Sequence, residues 1–158
     1  MVQTGTKKIQ VRAIARDERA GLLSEDQGLR SFASERVRLV LDDILKDVQG
    51  LVAGYRSQPF EVDMDPWLIA RPLEKLCFPV MNGNHLEFYK VESWADFQVG
   101  TNKILEPIKK PELKVSLDNI QAFLVPGLCY DRRGFRLGSG HGYYDRTLQN
   151  VAALKVGI

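Results

Sequence analysis

The chain has 158 residues, 44% of them hydrophobic and 27% charged, with 22 basic and 20 acidic side chains. That length holds one domain with a real core and excludes both a pair of ordinary domains and chain-wide disorder. A net charge of +2 gives no general attraction to nucleic acid, and the longest apolar stretch, Ala122 to Leu128 with Pro126 inside it, is far too short for a transmembrane helix.

Met1 to Lys8 is polar and lacks the apolar core of a signal peptide. A first helix is predicted from about Lys7 to Ala20, stopped by Gly21. Lys8, Arg12, Arg16 and Arg19 recur at helical spacing, so one face of it is strongly basic. A second helix opens at Ser24, which with Gln27 makes a capping box. Its apolar residues, from Leu29 and Phe32 to Leu45 and Val48, step by three and four until Gly50. Leu51 to Tyr55 reads as a short strand. Asp65-Pro66 starts another helix, with Asp65 as cap and proline at the first position, and Pro72 interrupts its continuation.

Cys77 to Met81 and His85 to Val91 read as two strands joined through Asn82-Gly83-Asn84. Residues 98 to 118 are polar, contain Pro107 and Pro111, and read as an excursion. Ile120 to Val125 is a buried strand. It leads into Pro126-Gly127, a glycine-rich loop, a helix from about Tyr143 to Val151 and a further strand from Val156. Helices alternating with short apolar strands predict α/β layers around a largely parallel sheet. Cys77 and Cys129, each in an apolar run, read as buried free thiols of a reducing compartment, which makes the cytoplasm the expected location. With His85 and His141 as the two histidines and no paired cysteines, a zinc site is not expected.

The chemistry concentrates between Asp131 and Asp145. Gly138, Gly140 and Gly142 alternate after the clearest strand and before a helix. Glycine permits positive φ and close backbone approach, and inward-pointing amides form an anion site. Arg136 adds a charge suited to phosphate. A turn that needs glycine for shape alone reads equally well from this pattern. No Gly-Lys-Ser/Thr follows, so this is not a Walker A loop, and Ser139 does not stand in a nucleophile elbow. Asp145, in the first turn of the next helix, either complements the helix dipole or ligates Mg²⁺ beside bound phosphates. Tyr143 and Tyr144 either stack on a flat ligand or anchor the helix.

The run Val125-Pro-Gly-Leu128, Asp131, Gly134-Phe-Arg136-Leu-Gly138-x-Gly140-x-Gly142-Tyr-Tyr-Asp145-Arg146 resembles the signature of the 5-formyltetrahydrofolate cyclo-ligase family. The resemblance extends to Lys8-x-x-x-Arg12, Glu61-Val62-Asp63, Phe78-Pro79 and Leu105-Glu106-Pro107 in family order. It implies a single domain over 1–158, a three-layer α/β/α sandwich of Rossmann-like type. It also implies an ATP-dependent reaction in which 5-formyltetrahydrofolate becomes 5,10-methenyltetrahydrofolate, with ADP and phosphate released. In that reaction ATP phosphorylates the formyl oxygen, N10 attacks the activated carbon, and phosphate leaves as the ring closes.

Carried over position by position, the resemblance places Lys8 and Arg12 on the ATP phosphates. Arg136, Leu137, Gly138, Ser139, Gly140, His141, Gly142, Tyr143 and Tyr144 form the nucleotide loop, and its Ser139 to Tyr143 part also touches the folate. Glu61 accepts N–H donors of the pterin, Asp145 holds Mg²⁺, and Arg136, Tyr144 and Asp145 carry the catalytic roles. Taken alone, Lys8 and Arg12 are an ordinary solvated basic face and Glu61 a surface acid near a turn. The implied ligands are 5-formyltetrahydrofolate, ATP and Mg²⁺, on a monomer with no nucleic acid or membrane partner. A non-catalytic folate or nucleotide binder and an α/β protein for another phosphorylated metabolite are the alternatives. Two departures stand out: some members carry Arg or Lys where this loop has Ser139 and His141, and family members continue past the strand at Lys155, so a C-terminal portion is expected to be absent.

Overall fold

Residues 3–25, 27–100 and 103–158 are described by the computed structural model. Helix α1 spans Gln3–Glu25 and α2 spans Gln27–Ile44. α1 runs through Gly21, the expected stop. Gly21 is not among the glycines at positive φ, so it makes no left-handed cap, and one glycine inside a helix costs only about 1 kcal/mol. The side chains of the expected capping pair, Ser24 and Gln27, lie outside the described residues. α2 stops short of Gly50, but its last turn continues as a bend in which Leu45 N–H donates to Leu41 O at 2.9 Å. That keeps Leu41 and Leu45 in the core.

The strands that follow are β1 (Leu51–Ala53), β2 (Leu76–Asn82), β3 (His85–Tyr89), β4 (Phe97–Val99), β5 (Leu105–Pro107), β6 (Lys114–Val115), β7 (Ile120–Val125), β8 (Cys129–Tyr130), β9 (Arg136–Leu137) and β10 (Leu154–Gly157). Helix α3 (Asp65–Ile69) lies between β1 and β2, and α4 (Tyr143–Thr147) between β9 and β10. The main sheet has the order β10-β7-β1-β2-β3-β6. Its β10-β7-β1-β2 part is parallel, and β3 and β6 are antiparallel. The reversal at β3 is local chemistry. Gly83, at φ +58, occupies the first central position of a two-residue hairpin turn, where a positive φ is required.

Side-chain alternation along the strands makes two cores. Val52, Leu76, Phe78, Ala122 and Leu124 face α2 and α3, packing with Leu41, Trp67 and Leu68. Ala53, Cys77, Phe88, Phe123 and Val125 face the other way and pack with Leu148 and the α4 tyrosines. The β1–β7 register shifts between Leu51 and Val52, so Ile120 pairs with Leu51 but Ala122 with Val52. The extra residue, Gln121, re-phases β7 so that Ile120 and Phe123 share one face. Each side chain such as Phe123 or Leu68, fully removed from water, contributes roughly 1.5–3 kcal/mol. The result is the expected three-layer α/β sandwich.

Several local expectations are corrected. Met64, not Asp65, is the N-cap residue of α3, and it makes no side-chain cap. The Asp65 carboxylate instead takes two hydrogen bonds from Arg56, at 3.0 and 2.7 Å, and such a bidentate charged pair outweighs a neutral cap. Residues 98–118 are not a bare excursion: β4 and β5 form a hairpin there, and β6 joins the edge of the main sheet. Cys77 is buried as expected, whereas Cys129, at the start of a two-residue strand, is only half-buried. No helix among the described residues is long and apolar enough to cross a membrane.

Candidate active site

Chain direction decides where a cavity forms. From β1 the chain crosses to β2 on one side, and from β7 to β10 on the other. The carboxyl ends of β1 and β7 therefore flank a topological switch point, where loops diverge and leave a crevice. A cavity of about 490 Å³ opens there. Tyr55, Arg56, Gln58 and Glu61 line it after β1, and Pro126, Gly127 and Leu128 after β7. Pro79 and Met81 of β2, Leu86 of β3, and Ile104 and Glu106 of the β4–β5 hairpin supply further wall. Arg16, Arg19 and Ala20 of α1 and the glycine loop complete the lining.

The loop between β7 and α4 is more elaborate than a plain turn. β8 and β9 pair as a small hairpin, braced by Asp131, whose carboxylate accepts from Arg133 N–H at 2.8 Å and Phe135 N–H at 2.9 Å. The three alternating glycines then serve different needs. Gly140 and Gly142 stand at φ +113 and +71, a region L-residues rarely enter. Gly138 has no positive φ, but a Cβ there would sit 2.8 Å from the Arg136 guanidinium. α4 has five residues, too few to develop much of a dipole, so any anion affinity comes from loop amides and arginines.

Arginines from α1 clasp this loop through its backbone. Arg12 Nε donates to Gly138 O at 3.0 Å, and Arg16 Nη2 to Ser139 O at 2.8 Å. Arg19 donates to Gly127 O and to Leu128 O. Arg136 fixes the loop from inside. It donates to Pro126 O at 2.7 Å and to the Asp145 carboxylate at 2.5 Å, and its guanidinium lies 5.6 Å from the Tyr144 ring centre. Burial raises the Tyr144 hydroxyl well above the usual range, so Tyr144 stays neutral. His141 stacks on Tyr143 with centroids 5.9 Å apart.

Two carboxylates reach the cavity wall. The Glu61 side chain is 15% exposed, takes the Gln58 N–H at 2.9 Å, and has Arg19 3.9 Å away. Glu106 is 7% exposed. Burial pushes both upward from the ordinary carboxylate value, opposed at Glu61 by the Gln58 amide and Arg19 and at Glu106 by the Met81 amide and Lys109.

The expected site residues thus mostly converge. Glu61, Arg136, Gly138, Ser139, His141, Gly142, Tyr143 and Tyr144 share one cavity. Lys8 and Gly140 are exposed outside it, Leu137 is half-buried in β9, and Arg12, not part of the cavity wall, holds the loop at the Gly138 carbonyl. Tyr55, Arg56 and Met81 had no functional signal of their own, Glu106 only its place in a motif in family order, and Arg16 and Arg19 only their place on the basic face of α1. Asp145 is 64% exposed and offers one carboxylate, already facing Arg136. Among the described residues no cluster of three or more His, Cys, Asp or Glu is placed to hold a metal ion. Of the expected metal site the described residues thus show this single carboxylate, paired with an arginine.

Comparison with known proteins agrees with this fold. An NMR structure of an Aquifex aeolicus 5,10-methenyltetrahydrofolate synthetase superposes with a TM-score of 0.80 at 34% identity, covering 96% of this chain and 76% of that one. A Mycoplasma pneumoniae 5,10-methenyltetrahydrofolate synthetase shares the fold, with a TM-score of 0.72 at 20% identity over 95% of this chain and 83% of that one. The 5-formyltetrahydrofolate cyclo-ligase of Escherichia coli K12 is 30% identical over 104 residues, 63% of this chain and 57% of that protein. The mitochondrial relative of Arabidopsis thaliana is 26% identical over 159 residues, 89% of this chain and again 57% of that protein. The chain thus spans under two thirds of the length of these last two relatives. The family model described as 5-formyltetrahydrofolate cyclo-ligase matches residues 68–157, more than half of the chain and all of the glycine loop. The chain belongs to the 5-formyltetrahydrofolate cyclo-ligase family.

Proposed function

We propose that the protein catalyses the ATP-dependent cyclisation of 5-formyltetrahydrofolate to 5,10-methenyltetrahydrofolate, releasing ADP and phosphate. One observation carries the reading: Ser139, His141 and Gly142 of the glycine loop line the same cavity as the Glu61 carboxylate. A phosphate-binding backbone and an acceptor for ring N–H donors therefore meet in one chamber. The cavity is walled largely by apolar groups, with a few placed polar ones, as a flat ring needs.

In this reading Glu61 accepts paired N–H donors of the pterin, while Tyr55, Met81 and Leu86 exclude water around it. Loop amides from Gly138 to Gly142, with Arg136, Arg12 and Lys8, take the ATP phosphates. The γ-phosphoryl group passes to the formyl oxygen, N10 bonds to the activated carbon, and that oxygen departs with the phosphate. Such chemistry asks the protein for positioning and charge neutralisation rather than for a nucleophile. Arg136 supplies the neutralising charge, and Tyr144, held neutral by burial, packs against it. Asp145, together with the phosphates, would hold Mg²⁺, which supplies further charge neutralisation. We read the protein as a monomer of the cytoplasm, in keeping with its two free thiols.

The test is growth of the methenyl chromophore when the protein meets 5-formyltetrahydrofolate, ATP and Mg²⁺. No product at high protein concentration, with ligand binding intact, overturns the catalytic reading. Asp145→Asn should abolish most turnover yet leave folate binding unchanged.

A further inference from the structure

Arg19 is the point where three distant segments meet. It stands on α1 and lines the cavity. Its Nη2 donates to Gly127 O and Leu128 O in the turn after β7. Its Nη1 lies 3.9 Å from Glu61 Oε1. That last distance suits an ion pair but is too long for a hydrogen bond. Glu61 Oε2 already accepts the Gln58 amide, whereas Oε1 has a cation nearby without being taken by it. Both side chains are mostly shielded, at 20% and 15% exposure, so the charge between them is poorly screened by water.

We propose that Arg19 is a positioning residue of the folate site, tying the 126–128 turn to α1 and lending positive charge to Glu61 without occupying the carboxylate oxygen a substrate ring needs. The inference rests on the reading of Glu61 as the ring acceptor. Without Arg19, Glu61 keeps its amide bond but loses the nearest cation. The other groups around it do not replace that charge. Arg30 donates to the Glu61 backbone carbonyl rather than to its carboxylate. Tyr55 and Tyr144 are hydroxyls that burial keeps neutral. Arg56 and Arg136 of the same wall are engaged by Asp65 and Asp145. A carboxylate left in this setting takes up a proton more readily, and a protonated acid is a poor acceptor for two N–H groups.

The experiment is the dissociation constant of 5-formyltetrahydrofolate, without ATP, measured across pH for the unsubstituted protein, Arg19→Met, Arg19→Lys, Glu61→Gln and the Arg19→Met/Glu61→Gln pair. Binding should weaken on acidification as Glu61 protonates. Arg19→Met should move that acid limb upward by about one pH unit, so that on the limb itself binding is roughly tenfold weaker at a given pH. Arg19→Lys should restore most of both. The double variant should match Glu61→Gln at every pH, because any acid limb left by Glu106, the other carboxylate of the cavity wall, is common to both. An acid limb unmoved in Arg19→Met, while Glu61→Gln still loses affinity, overturns the role of Arg19 alone. Unchanged affinity in Glu61→Gln overturns the assignment of Glu61 itself. If Arg19→Met fails to fold, Arg19→Lys with a displaced acid limb supports the proposal, and Arg19→Lys with affinity lost at every pH alike overturns it.

Discussion

Gly140→Ala isolates what the loop backbone does. Gly140 is at φ +113, outside even the left-handed helical basin. A methyl group there meets only the Arg12 side chain, at 3.7 Å, an ordinary contact. Space is therefore not the obstacle, and the whole penalty is conformational, about 1–3 kcal/mol for a side chain in such a region. The exposed loop relieves that strain by relaxing out of the shape that aims its amides. The bound arrangement then becomes less accessible by a similar energy, which predicts roughly 5- to 150-fold weaker binding of ATP. The assay is equilibrium titration with a non-hydrolysable ATP analogue, with thermal melting alongside. Gly134→Ala is the control. It has the same kind of strain, φ +82 with nothing within 4 Å, but sits in the β8–β9 turn. It should lower the melting temperature and leave nucleotide affinity intact. A Gly140→Ala protein that binds the analogue as tightly as the unsubstituted chain refutes the idea that loop backbone holds the phosphates.

Other expectations follow from the same structure. Leu68 is fully buried against Gly54 between α3 and the sheet, so Leu68→Ala should cost about 2–5 kcal/mol in chemical denaturation; a smaller loss means the α3 packing is looser than described. The Lys114 ammonium, with help from Tyr89, holds Glu87 down to about 2 against its ordinary 4.5. A depressed acid stabilises the fold above its unfolded value, so this contribution should be present above pH 4.5 and fade as pH falls toward 2. Glu87→Gln should flatten that part of the stability–pH curve, and an unchanged slope argues against the pair. Cys77 is pushed up to about 12 by burial, while Cys129 is half-buried. A thiol reagent at mild alkaline pH should modify Cys129 first, and Cys77 only on unfolding; equal rates would contradict the burial.

Legibility from the sequence was uneven for physical reasons. β7 was readable because Ile120 to Val125 is nearly continuous apolar, as a strand covered on both faces must be. The loop was readable because positive φ at Gly140 and Gly142 restricts residue choice at those very positions. Asp65 illustrates the opposite case. Asp-Pro is a sound local helix signal, yet a bidentate arginine from nine residues upstream claimed the carboxylate. Glu106 is another: its neighbours Leu105 and Pro107 carry no pattern that announces a buried carboxylate, and only the β4–β5 hairpin folds it inward.

The sequence by itself determined the α/β layering, the glycine loop and its arginine, and the family motif, since each depends on residues close in the chain. Only the tertiary structure decided where the basic residues of α1 lie relative to the cavity. Lys8, Arg12, Arg16 and Arg19 share one face by spacing, but the docking of α1 sets Arg16 and Arg19 in the cavity wall, Arg12 on the Gly138 carbonyl outside that wall, and Lys8 in solvent. Helical periodicity says which side chains point the same way; where that face lands depends on contacts more than a hundred residues apart along the chain.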